Sequence, residues 1–122
     1  MEPIVIYGIP NCDTIKKTLK WFSQHQLPYR FHDYKKEGIT AEQLKQWSAQ
    51  LGWEKLLNTR GTTWRKVDPA VQTATNNATA AIRLMKEHTS LIRRPIIEQG
   101  KIIFVGFNEE ELTAHFNKPK NK

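Results

Sequence analysis

Apolar positions along this chain follow two different rhythms, which succeed one another in a definite order. Ile4-Val5-Ile6-Tyr7 is a short apolar run that reads as a buried strand. Over 13–26 the spacing becomes helical, with Ile15, Leu19, Phe22 and Gln26 along one face. Tyr29–Asp33, after Pro28, alternates as a second short strand. Thr40 opens a helix with Gln43 at capping-box spacing, and Leu44, Trp47 and Leu51 form its stripe. Trp53–Asn58 reads as a turn or a single helical turn. Asp68-Pro69 is an N-cap followed by proline at the first helical position, and Asn76-Asn77 interrupts that brief helix. A further helix follows from about Ala78 to His88, with Ala78, Ala81, Ile82 and Met85 on one face. Pro95-Ile96-Ile97 and Lys101–Val105 flank Glu98-Gln99-Gly100 as an antiparallel hairpin. Asn108 caps the last helix, with Glu111 at its third position and Leu112 and Phe116 facing inward. The predicted order is β-α-β, a long helical stretch, then β-β-α, an α/β layer architecture around one small mixed sheet.

Composition narrows the class without naming a function. A chain of 122 residues is expected to form one domain over 1–117, with a helical insertion at about 38–90 and a flexible basic tail at 118–122. The hydrophobic fraction of 39% and charged fraction of 25% are those of a globular protein. No segment approaches membrane-spanning length, and the first ten residues lack a signal-peptide core. With one cysteine and no export signal, the expected location is the reducing cytoplasm. The formal net charge is +7, yet the basic residues are spread out, and no zinc-finger, aromatic ribonucleoprotein or helix-turn-helix pattern accompanies them. Nucleic acid and membrane are therefore not expected partners. The expected state is a monomer.

Cys12 is the one residue whose setting points to chemistry. It falls where the first strand gives way to the first helix, within Gly8-Ile9-Pro10-Asn11-Cys12-Asp13-Thr14-Ile15-Lys16-Lys17. A thiol there faces unpaired backbone N–H groups and the positive end of the helix dipole, which favour the reactive thiolate. Asp13 pulls against this and Lys16, one turn on, pulls with it. As the only cysteine, it cannot close an internal disulfide, so a covalent adduct at Cys12 must be resolved by a thiol from another molecule. The alternative is a small buried hydrophobe, which the turn-forming neighbours Pro10, Asn11, Asp13 and Thr14 disfavour.

Three segments in order carry a resemblance to a known family. They are Tyr7-Gly8-Ile9-Pro10-Asn11-Cys12-Asp13-Thr14-Ile15-Lys16-Lys17, then Leu56-Leu57-Asn58-Thr59-Arg60-Gly61-Thr62, then Ile92-Arg93-Arg94-Pro95-Ile96-Ile97. With the element order they resemble the arsenate reductase (ArsC)/Spx/YffB family, nearest to its YffB branch, over residues 4 to about 117. The resemblance implies a thioredoxin-like fold with a helical insertion between the second and third strands. It places the catalytic cysteine on Cys12, two oxyanion-contacting arginines on Arg60 and Arg94, and a cis-proline on Pro95. Arsenate reductases carry a further arginine after the hairpin, where this chain has Phe104-Val105-Gly106-Phe107-Asn108, and a serine-containing segment with arginine where it has Asp13, Ile15 and Lys16. The Cys-x-x-Cys pair typical of the Spx branch is missing, because Ile15 stands at its second position.

The implied activity is that of a thiol oxidoreductase with no bound cofactor, using glutathione as co-substrate and glutathione or a glutaredoxin as reductant. Its substrate would be a small anion or a mixed disulfide. Fixed guanidinium groups at Arg60 and Arg94 suit a carboxylate or oxyanion, although an exposed arginine commonly makes only a surface ion pair. A cis bond before Pro95 would present backbone to an extended tripeptide, and an edge-strand proline is its plain alternative. Asn11 and Thr14 either hydrogen-bond the sulfur or cap the helix, capping being the simpler reading, and Lys16 is either a site residue or a solvated one. His25, His32, His88 and His115 show no metal-ligand spacing, and the four tryptophans are spaced for packing. Glutaredoxin-coupled arsenate reduction and a non-catalytic, Spx-like transcription adaptor are the competing readings.

Overall fold

The first strand is apolar throughout because both faces of the sheet are covered. In the computed structural model, which describes residues 2–116, β1 (Ile4–Gly8) buries Ile4 and Ile6 on one face with Trp21, Phe22 and Leu112. Val5 and Tyr7 turn to the other face, against Trp47, Leu56 and Met85. This two-sided burial leaves no polar position in the strand.

Next come α1 (Asp13–Gln24), β2 (Arg30–Asp33) and α2 (Tyr34–Glu37). The helical stretch continues as α3 (Ala41–Leu51), α4 (Trp53–Leu56), α5 (Thr62–Arg65), α6 (Pro69–Ala74) and α7 (Ala78–Glu87), then a 3₁₀ turn at Thr89–Leu91. The chain closes with β3 (Ile96–Gln99), β4 (Ile102–Val105) and α8 (Glu109–Phe116). The sheet order is β2-β1-β3-β4. β2 runs parallel to β1, whereas β3 is antiparallel to both β1 and β4, with Ile6 opposite Ile97 and Ile97 opposite Phe104. This is the mixed α/β sheet expected from the element order, with the helices of residues 34–87 between β2 and β3. The expected tail at 118–122 lies outside the described residues.

Several elements depart from the periodicity for identifiable reasons. α1 buries Ile15, Thr18, Trp21 and Phe22, so its inward face is rotated from the predicted stripe. Thr18 can be buried because its hydroxyl donates to the Thr14 carbonyl at 2.7 Å. Gln26 is exposed beyond the helix at φ 57°, and the C-cap is His25. The hairpin turn is Gly100-Lys101, so Glu98 and Gln99 belong to β3 rather than to the loop. Glu98 is tolerated there because its carboxylate accepts from the Tyr7 hydroxyl at 2.9 Å and from the Trp47 indole N–H at 3.3 Å. Asp33 caps α2 by accepting the Lys35 N–H at 2.9 Å. α2 and α5 are single turns that no periodicity of this length can announce.

Gly8 sets how closely α1 can approach the sheet. A Cβ at this position would run into Cδ1 of Ile15, which is fully buried and has nowhere to move. We expect Gly8→Ala to destabilise the protein by about 1–3 kcal/mol through overpacking. Combining it with Ile15→Val removes the colliding methyl, so denaturant titration of the double variant should show less than the summed loss. A fully additive loss would mean that this contact does not set the helix position.

Candidate functional site

Cys12 is the N-cap of α1, in extended conformation (φ −149°, ψ 126°), and is partly exposed. Its carbonyl accepts the Lys16 N–H at 3.0 Å, which closes the first turn. The cap position carries no side-chain hydrogen bond, so the first-turn N–H groups remain available to the sulfur. Burial alone pushes the Cys12 thiol up. The N–H groups of Ile15 and Thr14 and the Arg94 guanidinium, all facing the sulfur, outweigh it and hold the thiol below the ordinary cysteine range. The charge acting on the sulfur is Arg94's. Lys16 is exposed and serves α1 through its backbone.

Arg94 reaches this position because two distant segments are clamped together. Leu57 and Ile92 form an antiparallel bridge, flanked by Asn58 N–H to the Leu91 carbonyl at 2.7 Å and Arg93 N–H to the Leu56 carbonyl at 2.8 Å. Leu56, Leu57, Leu91 and Ile92 are all buried, so the clamp is fixed from below by the core. One Arg94 nitrogen, Nη1, donates to the Ser90 carbonyl at 2.9 Å. Its Nε is buried without a partner. The guanidinium is thus anchored on the Ser90 carbonyl and keeps one buried donor without a protein partner.

The remaining candidates separate in space. Arg60 lies just past the clamp, exposed, with its backbone N–H donated to Asn58 Oδ1 at 3.1 Å; the structure brings Arg94, not Arg60, onto the Cys12 sulfur. Asn11 is exposed in the bend before the helix and does not cap it, because the N-cap position belongs to Cys12. Pro95 is buried, and the Arg94–Pro95 peptide bond is cis. Sequence reasoning passed over Ser90, whose part is played by a backbone carbonyl that no residue type signals. It also passed over Tyr34, whose fully buried hydroxyl has no partner. Burial pushes the Tyr34 phenol up, Tyr7 adds to this, and the Arg94 charge opposes it. Among the described residues, no group of three His, Cys, Asp or Glu side chains is placed to hold a metal.

A four-stranded mixed sheet with a cysteine capping the helix after its first strand defines a thioredoxin-like α/β protein. The chain belongs to the ArsC family, whose profile matches residues 7–115, and within that family it stands with YffB. A Haemophilus influenzae relative described as an uncharacterized protein is 43% identical over 93% of this chain and 98% of its own length. The Bacillus subtilis global transcriptional regulator Spx is 28% identical over 89% of this chain and 83% of its own. Among solved structures, a YffB protein superposes with a TM-score of 0.87 at 44% identity, covering 91% of this chain and 96% of that one. An ArsC-related protein from Brucella melitensis follows with a TM-score of 0.74 at 41% identity, covering 95% and 96%. None of the described helices is long and apolar enough to cross a membrane.

Proposed function

We propose that the protein is a glutathione-dependent thiol oxidoreductase that works through Cys12 alone. The observation that carries this reading is a partly exposed thiol at a helix N-terminus, held below the ordinary cysteine range beside the Arg94 guanidinium, in a chain with no second cysteine. The Cys12 thiolate attacks the glutathionyl sulfur of a mixed disulfide; the Cys12–S–S–glutathione bond forms as the substrate thiolate leaves. A free glutathione attacks the glutathionyl sulfur of that adduct and releases Cys12 as thiolate, so one free glutathione is consumed and one glutathione disulfide released for each mixed disulfide reduced; a glutaredoxin thiol attacking instead carries the glutathionyl group away as its own mixed disulfide. Arg94 receives a glutathione carboxylate or a substrate oxyanion, with Arg60, Asn11 and Lys16 proposed at its rim and the cis Arg94–Pro95 backbone proposed to pair with the tripeptide. The reducing cytoplasm supplies the glutathione, and the protein acts as a monomer.

Arsenate is the second anion to consider, because the Brucella melitensis relative is described as arsenate reductase-related. It is the weaker reading: Phe104-Val105-Gly106-Phe107-Asn108 supplies no third arginine. The adaptor reading draws on Spx, but Ile15, where Spx-type proteins place their second cysteine, is a fully buried core residue here.

Intact mass spectrometry after exposure to oxidised glutathione tests the proposal. The expected product is a single glutathionyl adduct, formed at neutral pH and reversed by reduced glutathione. Arsenate should compete with its formation only weakly. Formation confined to strongly alkaline solution would move the adaptor reading to first place.

A further inference from the structure

β4 ends the sheet with a row of backbone groups that the fold leaves unused. Among the described residues, no strand pairs with its outer side. The two-residue turn Gly100-Lys101 and the Gly106 N–H donated to the Pro95 carbonyl at 2.8 Å fix the parity of the β3–β4 ladder. Ile102 with Gln99, Phe104 with Ile97, and Gly106 with Pro95 are then the hydrogen-bonded pairs. The N–H and C=O groups of Ile103 and Val105 therefore point away from the sheet. Edge strands are ordinarily blunted by charge, proline or a covering element. β4 reads Ile-Ile-Phe-Val, and Ile102 is 44% exposed.

A groove of about 450 Å³ follows this edge. Ile103, Phe104 and Val105 all line it. Successive strand side chains point to opposite faces, so a groove that touches all three runs along the edge rather than over one face. Its flanks differ in charge. Lys55 of α4 and Arg93 both line it, and the Arg93 Nε is buried without a partner. Glu111 of α8 lines it as well. Ile103 and Val105 pack on the face that carries Leu56, and Phe104 on the face that carries Leu112, which places Lys55 and Glu111 on opposite flanks.

We propose that the β4 edge docks an extended acidic segment of a partner protein by strand addition. The segment's backbone pairs with the outward groups of Ile103 and Val105. Its alternate side chains then fall on the two flanks, carboxylates toward Lys55 and Arg93, neutral or basic residues toward Glu111. The groove's own charges select this occupant: Lys55 and Arg93 outnumber Glu111, so carboxylates are drawn to it, whereas a second copy of β4 would bring only apolar side chains. Cys12 does not line this groove, and Arg93 links the two through its backbone N–H in the clamp.

The probe is a synthetic peptide of alternating glutamate and valine, titrated into isotope-labelled protein. Amide shifts and slowed hydrogen exchange should centre on Ile103 and Val105. Arg93→Gln should weaken binding about tenfold, and Lys55→Gln in the same direction. Methylating the peptide backbone nitrogens at one set of alternate positions should abolish binding and at the other set spare it, a test that leaves the protein's fold untouched. Three results would each overturn the proposal: no binding at millimolar peptide, shifts centred elsewhere, or indifference to both the charge variants and the methylation. Protection of the Ile103 and Val105 amides in a concentration-dependent dimer without peptide would assign the edge to a second copy instead.

Discussion

Cys12→Ser is expected to lose glutathione-linked turnover by about a thousandfold or more, since the hydroxyl is a far weaker nucleophile at neutral pH and forms no disulfide. The fold should survive the change. Cys12 is a partly exposed N-cap whose side chain makes no capping bond, and serine is a favoured residue at that position. Stability measured by denaturant titration should therefore stay level or rise slightly as activity and adduct formation vanish. Retained turnover in Cys12→Ser would remove the thiol from the mechanism altogether. Loss of activity with collapse of the fold would mean that the cysteine had been a packing residue.

The second large effect is expected at Arg94. Arg94→Gln removes the guanidinium whose charge and donors favour the thiolate, leaving burial to push the thiol up against the two backbone N–H groups alone. Less of Cys12 is then thiolate at neutral pH, so adduct formation slows there and recovers as the solution is made alkaline. A slowing of about tenfold at neutral pH corresponds to the loss of one charge-assisted hydrogen bond. Arg94→Lys restores a positive charge but not the fork that binds the Ser90 carbonyl and still offers Nε. It should recover part of the thiolate effect while capture of an anionic substrate stays weak. Equal rates for Arg94→Gln and the parent protein at every pH would reduce Arg94 to a structural residue of the Ser90 turn.

The strand-helix alternation was legible because burial leaves a periodic trace. β1, α3, α7 and the hairpin strands all show it, and caps at Thr40, Asp68 and Asn108 accept the N–H groups that their sequence positions promise, while Asn77, read only as a helix interruption, also caps α7. What escaped was held by contacts with no local signature. Thr18 is buried on α1 because its hydroxyl satisfies itself on the helix backbone, so a polar letter sits on an apolar face. Glu98 reads as a turn residue in isolation and becomes a strand residue only because Tyr7, Gln43 and Trp47 converge on its carboxylate from β1 and α3. The site divides in the same way. Cys12 was legible from its place at a strand-to-helix junction, and Arg94 from the family resemblance. The clamp that delivers Arg94, Leu56–Asn58 against Leu91–Arg93, joins residues more than thirty positions apart through main-chain bonds, which no residue type announces. Arg60 and Arg94 look equivalent as letters, and only the folded chain separates them.

The central claim is that Cys12 is held as an activated thiolate by its helix and by Arg94. The most direct test is the alkylation rate of Cys12 across pH in the parent protein and in Arg94→Gln. The parent rate should level off at a pH below the ordinary cysteine value of about 8.5, with the Arg94→Gln curve displaced to higher pH. An inflection at or above that value in the parent protein, unchanged in Arg94→Gln, would contradict the account.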